Sequence, residues 1–96
     1  MTINPKSAYW AIGYSYPSSK IARDMKRADE GCWFYYTMDQ RFNALDDEVG
    51  PYETANAAVH AGEKAVGLLP IAPGHETWML EQMARDASGK RFVNAR

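Results

Sequence analysis

The sequence predicts one α+β domain in which a small antiparallel sheet of three or four strands carries helices on one face. The chain has 96 residues. Segments in which apolar residues recur every second position, as in a strand, alternate with segments in which they recur every three or four positions, as in a helix, and Gly and Pro residues separate these segments. An independent core usually needs about 50 residues or more. We therefore expect residues 1–96 to form a single domain around one core.

The first strand is predicted over residues 8–16. Trp10, Ile12 and Tyr14 alternate with small residues, which is typical of a strand with one covered face. Pro17 ends the pattern, because proline cannot donate a hydrogen bond to a neighbouring strand.

A short basic helix is predicted next. Ile21, Met25 and Ala28 recur at helical spacing, and Gly31 follows as the stop. The positive side chains that point elsewhere are Lys20, Arg23, Lys26 and Arg27.

The middle of the chain predicts a hairpin and an acidic loop. Residues 32–38, Cys-Trp-Phe-Tyr-Tyr-Thr-Met, are strongly β-prone and apolar on both faces. After a turn at residues 39–40, residues 41–45 are expected to return as the partner strand. The carboxylates of residues 46–48 and the Gly-Pro pair at 50–51 indicate a turn-rich loop.

Two further helices are predicted. Thr54 is the expected N-cap of the second, which ends at Gly67 and has a stripe of small apolar residues: Ala55, Ala58, Val59, Gly62, Ala65 and Val66. Two prolines make residues 68–74 a packed connection. The third helix covers residues 76–88, and its expected inward residues are Met79, Leu80, Met83, Ala84 and Ala87.

The end of the chain leaves two architectures open. If Phe92 and Val93 form a fourth strand, the element order becomes the ferredoxin-like split βαβ with one added helix. Otherwise a three-stranded sheet is backed by helices.

Catalytic and metal-binding patterns are missing from the sequence. His75-Glu76 begins like a zinc-protease motif, but Met79 stands where the second histidine is required. We therefore expect no enzyme activity, cofactor or metal. Cys32 is the sole cysteine, and the sequence contains neither a secretory leader nor a long apolar run, so we expect a cytoplasmic protein that does not enter membranes, in its own cell or in a host.

Charge is unevenly distributed although the net charge is only −1. Residues 1–38 and residues 64–96 each carry five basic and three acidic side chains, a net charge of +2. Residues 39–63 carry one basic and six acidic side chains, a net charge of −5. The basic helix face can meet an acidic protein patch or nucleic-acid phosphates, and the acidic loop can dock on a basic partner or on a second copy.

Aromatic side chains provide the main functional prediction. Rings fill two strands, and helices cover only one sheet face, so some rings must face outward and form a binding surface. The alternative faces of the second strand, Trp33 with Tyr35 or Phe34 with Tyr36, stay open. The predicted partner-binding residues are the aromatic Trp10, Tyr14, Trp33, Tyr35 and Trp78, the basic Lys20, Arg23, Lys26 and Arg27, and the acidic Asp46, Asp47 and Glu48.

The turn Gly50-Pro51-Tyr52-Glu53-Thr54, followed by an Ala-rich helix, resembles the hairpin-to-helix join of many small bacterial and phage domains. In its length, single cysteine and lack of catalytic motif, the chain is also similar to small phage or mobile-element accessory proteins, including anti-CRISPR proteins. That resemblance implies an inhibitor that binds a larger host protein complex stoichiometrically. It assigns no residue, because the group shares no motif.

These observations predict a non-catalytic protein-binding module. The alternative is a nucleic-acid-binding module that uses the basic helix and exposed rings. A homodimer through the aromatic sheet face is a separate prediction.

Overall fold

Three antiparallel strands and two packed helices form the fold in a computed structural model that describes residues 5–16, 19–24, 31–45 and 48–87. The elements are β1 (Tyr9–Ser15), α1 (Lys20–Asp24), β2 (Cys32–Met38), β3 (Val49–Tyr52), α2 (Ala55–Val66) and α3 (Glu76–Ala87). The sheet order is β1-β2-β3, α2 packs on the sheet, and α3 packs against α2. The predicted small α+β fold is confirmed.

Strands β1 and β2 are direct antiparallel neighbours. In a split βαβ arrangement a third strand lies between them, so the described sheet follows the three-stranded alternative. The predicted fourth strand at Phe92 and Val93 lies outside the described residues.

The register of β1 and β2 decides which side chains enter the core. Trp10, Ile12 and Tyr14 lie opposite Thr37, Tyr35 and Trp33. These six side chains share one sheet face, because directly opposed residues of an antiparallel pair point the same way. The core cluster contains Trp10, Ile12, Trp33 and Tyr35 together with residues of α2, so this is the face that α2 covers.

Helix α2 lies close to the sheet because its inward residues are small. Ala55, Ala58 and Gly62 are buried, as the predicted stripe requires. The indole of Trp10 lies against Gly62, where an added Cβ would come within 2.8 Å of Trp10 Cε3. The largest side chain of β1 therefore occupies the space that a glycine leaves open.

The N-terminus of α2 is held by two carboxyl or hydroxyl oxygens. Thr54 is the N-cap, as predicted, and its Oγ1 accepts a hydrogen bond from the Ala57 N–H at 3.0 Å. From α3, Asp86 Oδ2 accepts the Asn56 N–H at 2.8 Å, and Met83 O accepts from Asn56 Nδ2 at 3.2 Å. These bonds satisfy backbone donors that a helix end leaves unpaired and fix α3 against α2.

The predicted strand at residues 41–45 is wrong. Asp39 Oδ1 accepts the N–H groups of Arg41 at 2.8 Å and Asn43 at 3.0 Å, and Phe42 has a left-handed φ of 68°. These features curl the chain into a loop, and Ala44 makes only an isolated bridge to Met38. The hydrogen bond from the Asn43 N–H lowers the pKa of the Asp39 carboxyl below its usual value, and the bond from the Arg41 N–H lowers it further by a smaller amount.

Strand β3 forms instead in the segment predicted to be a loop. Val49 lies opposite Tyr35, and Tyr52 lies opposite Trp33. The peptide bond between Gly50 and Pro51 is cis. Proline is tolerated here because β3 lies at the edge of the described sheet, where its missing N–H removes no hydrogen bond to a further strand.

The inward stripe predicted for α3 is partly wrong. Met79 is buried, but Leu80 is 55% exposed and Ala84 is exposed, whereas Gln82 is buried. The hydrogen bonds that Asn56 donates to Asp86 and Met83 show that this side of the helix faces α2. The side chain of Ala87 lies outside the description.

The basic helix is described only over α1, and the predicted helical residues Met25 and Ala28 lie outside the described residues. Gly31, its predicted stop, has a φ of 74°, the left-handed conformation that glycine adopts at little cost.

Candidate functional site

Three of the rings predicted to bind a partner are inside the protein. Trp10, Trp33 and Tyr35 are 2%, 3% and 5% exposed, so the expectation that these rings face outward is wrong. The helix-covered face is the one with the larger rings, because small residues of α2 make room for them. The homodimer inferred from an exposed aromatic face stays a prediction, and these rings no longer support it.

A cleft of about 360 Å³ is lined by residues of both sheet faces at β1 and β2. Gly13, Phe34 and Tyr36 belong to the face away from α2, whereas Ile12 and Tyr14 belong to the covered face. Its floor is made by Ile12, Gly13 and Phe34, of which Ile12 and Phe34 are buried. Phe34 and Tyr36 are the alternative face of β2 that the sequence left open.

The glycine in β1 shapes this floor. A Cβ at Gly13 would lie 2.6 Å from Cζ of Phe34, so the benzyl ring lies directly over the glycine. With any larger residue at position 13, the Phe34 ring would have to move from this position. The cleft therefore depends on the pairing of Gly13 with Phe34 across the two strands.

The walls of the cleft carry half-buried aromatic and polar side chains. They come from Tyr14, Tyr36, Trp78, His75 and Glu48, and exposed Ala44 completes the rim. Tyr14, Trp78 and Glu48 were predicted to bind a partner, and the structure brings these three residues to one site.

Buried Trp33 supports two of the walls from behind. Its ring centroid lies 5.1 Å from that of Tyr14 and 5.8 Å from that of Trp78. The ring centroid of His75 also lies 5.9 Å from that of Trp78. Rings packed in this way keep their orientation, so they lose little conformational freedom when a ligand binds.

Tyr36 and Glu48 form the polar side of the cleft. Burial raises the pKa of the Tyr36 hydroxyl above its ordinary value, and the negative charge of Glu48 raises it further. The hydroxyl therefore stays protonated at neutral pH. The site offers a hydroxyl donor, a carboxylate and aromatic faces close together.

Of the predicted charged residues that the structure describes, only Glu48 lines this cleft. Lys20 forms an exposed ion pair with Asp24 at 2.9 Å, and Arg23 is exposed on α1. Lys26, Arg27, Asp46 and Asp47 lie outside the described residues.

Three lining residues are absent from the predicted partner-binding set: Phe34 and Tyr36, which were predicted only as the alternative outward face of the second strand, and His75, which was named only in an incomplete zinc motif. One signal was available: the small stripe of α2 at Ala58 and Gly62 needs large partners on the sheet, which favours Trp10 as the inward side of β1. The inward side of β2 then follows from the strand pairing.

Within the described ranges, no group of three or more His, Cys, Asp and Glu residues is placed to hold a metal ion. In the same part of the chain, no helix is both long and apolar enough to cross a membrane. Comparison with known proteins finds no family model, curated protein or solved structure that matches this chain.

Proposed function

We propose that the protein is a non-catalytic binding module that uses the aromatic cleft to bind a partner protein. The observation that carries this proposal is the set of half-buried rings, Tyr14, Tyr36 and Trp78, around a buried apolar floor. Trp and Tyr at the centre of a pocket are the residue types that contribute most to protein interfaces.

The rigid backing of these rings favours binding over a structural role alone. Trp33 supports Tyr14 and Trp78, and Phe34 lies 5.8 Å from Tyr36 between ring centroids. A surface that is ordered before binding avoids the cost of immobilising side chains in the complex.

The resemblance to phage and mobile-element accessory proteins suggests which partner class to test first. It implies an anti-CRISPR-like inhibitor that blocks a host protein complex by occupying one of its surfaces. Such an inhibitor needs a binding cleft and no reaction chemistry.

Nucleic-acid binding is less well supported by the same geometry. No Lys or Arg is among the described residues that line the cleft, and one described cation of α1 is already paired with Asp24. A phosphate-binding module would weaken steeply as salt rises, whereas binding through apolar rings should resist moderate salt.

Capture from cells with Tyr36→Ala tests the proposal. Tyr36 is half-buried at the cleft wall, and we expect its truncation to weaken partner binding by about 5- to 30-fold, as for interface hot spots. Wild-type and variant proteins are immobilised at equal density, and the wild-type partner is quantified by mass spectrometry and then by calorimetry at two salt concentrations.

The matched control is Leu68→Ser. Leu68 is an apolar side chain that is 97% exposed and does not line the cleft, so this variant should retain the partner. Thermal melts of all three proteins show whether they are equally folded. Full retention by a folded Tyr36→Ala protein, or recovery of nucleic acid whose binding is lost at moderate salt, would overturn the proposal.

A further inference from the structure

We propose that the cleft receives an arginine side chain of the partner protein, with its guanidinium against the aromatic walls and paired with Glu48. This inference rests on the proposed function and names the chemistry of the anchor that the partner inserts.

Charge complementarity is the first argument. Glu48 is the only Asp, Glu, Lys or Arg among the described lining residues, so the described part of the site carries a negative and no fixed positive charge. Glu48 belongs to the segment 39–63 with its net −5. Aromatic faces are also negative, because the ring quadrupole places electron density above the plane. A cation therefore gains from both features, and an anion from neither.

Ring geometry is the second argument. Tyr14, Tyr36 and Trp78 all line one cleft, and a cation within about 6 Å of a ring centroid is attracted to the ring face. The planes of Phe34 and Tyr36 are inclined by 45°, so neighbouring rings do not cover each other completely.

Size and hydration favour arginine over other cations. At about 360 Å³ the cleft is near the lower end of the roughly 300–1,000 Å³ found for small-molecule sites, which suits one long side chain. A guanidinium is planar, stacks on aromatic rings, pairs with a carboxylate through two N–H groups, and is less strongly hydrated than an ammonium. Arginine is also enriched among the residues that dominate protein interfaces.

A titration with blocked amino acids tests this inference without the partner. The ¹⁵N-labelled protein is titrated at neutral pH with N-acetyl-arginine methylamide, with its neutral isostere N-acetyl-citrulline methylamide, and with the lysine analogue. We expect the arginine compound to shift the Gly13 amide and the Trp78 indole N–H in a saturable way, the lysine compound to bind more weakly, and the citrulline compound to leave both signals unchanged.

Charge removal at Glu48 provides the matched comparison. Glu48→Gln keeps the shape of the side chain and should raise the arginine dissociation constant about two- to five-fold, the range expected for one partly exposed ion pair. Glu81→Gln removes an exposed carboxylate of α3 that does not line the cleft and should leave the constant unchanged.

Two results would overturn the inference: citrulline binding as tightly as arginine, or Glu48→Gln binding arginine as tightly as the wild type. Its failure is separable from failure of the proposed function. If Tyr36→Ala still loses the partner, the cleft is a protein-binding site with another kind of anchor. If Tyr36→Ala retains the partner, the proposed function itself fails.

Discussion

Replacement of Trp33 by alanine is expected to lower the free energy of unfolding by about 3–5 kcal/mol, the usual cost of deleting a buried aromatic side chain. Trp33 is 3% exposed and lies in the core cluster with residues of α2. A chain of this length is stabilised by about 5–14 kcal/mol in total, so the loss is a large fraction. Urea unfolding followed by circular dichroism measures it.

The comparison variant is Phe42→Ala, which removes a ring that is 53% exposed and stacks on Tyr9 at 5.3 Å. Its expected cost is about 1 kcal/mol or less, as for a surface aromatic pair. If the two variants were equally stable, Trp33 would not be a core residue, and the original assignment of this ring to the binding surface would return.

Replacement of Gly62 by alanine is expected to destabilise the protein by up to about 2 kcal/mol, although alanine is the better helix former. The added methyl group meets the buried Trp10 ring, and overpacking of this kind costs about 1–3 kcal/mol. The gain in helix propensity returns only about 1 kcal/mol. Urea unfolding gives the net sign.

Glu63→Ala is the control at the next position of α2, where the side chain is exposed. It should change stability by less than about 0.5 kcal/mol. An increase in stability for Gly62→Ala would contradict the close approach of α2 to Trp10 and the assignment of that sheet face to the core.

The sequence predicted those elements in which the two faces carry different kinds of side chain, or in which a particular residue type marks the end of a helix. Strand β1 alternates large and small side chains, Thr54 carries a capping hydroxyl, and Gly62 belongs to a uniform small stripe. Strand β3 was missed because Gly50 and Pro51 are typical of turns, and here pairing with β2 overrides that preference. Residues 41–45 were assigned to a strand because strand propensity does not take account of the side-chain hydrogen bonds by which Asp39 forms the loop.

The orientation of β2 could not be predicted from its own residues. Phe34 and Tyr36 are as apolar and aromatic as Trp33 and Tyr35, so the segment contains no alternation that identifies the inward face. Tertiary packing of α2 decides it. The cleft also joins Glu48, Phe34 and Trp78 from distant parts of the chain, a proximity that sequence spacing does not contain.

Hydroxyl-radical footprinting of the complex with the captured partner is the most direct test of the claim that the aromatic cleft is the binding site. The labelled side chains of free and bound protein are compared by mass spectrometry. We predict that oxidation of Tyr36 and Trp78 falls on binding, while that of exposed Phe42 and Leu80 does not change. Protection of Phe42 and Leu80, with unchanged labelling of Tyr36 and Trp78, would contradict the account.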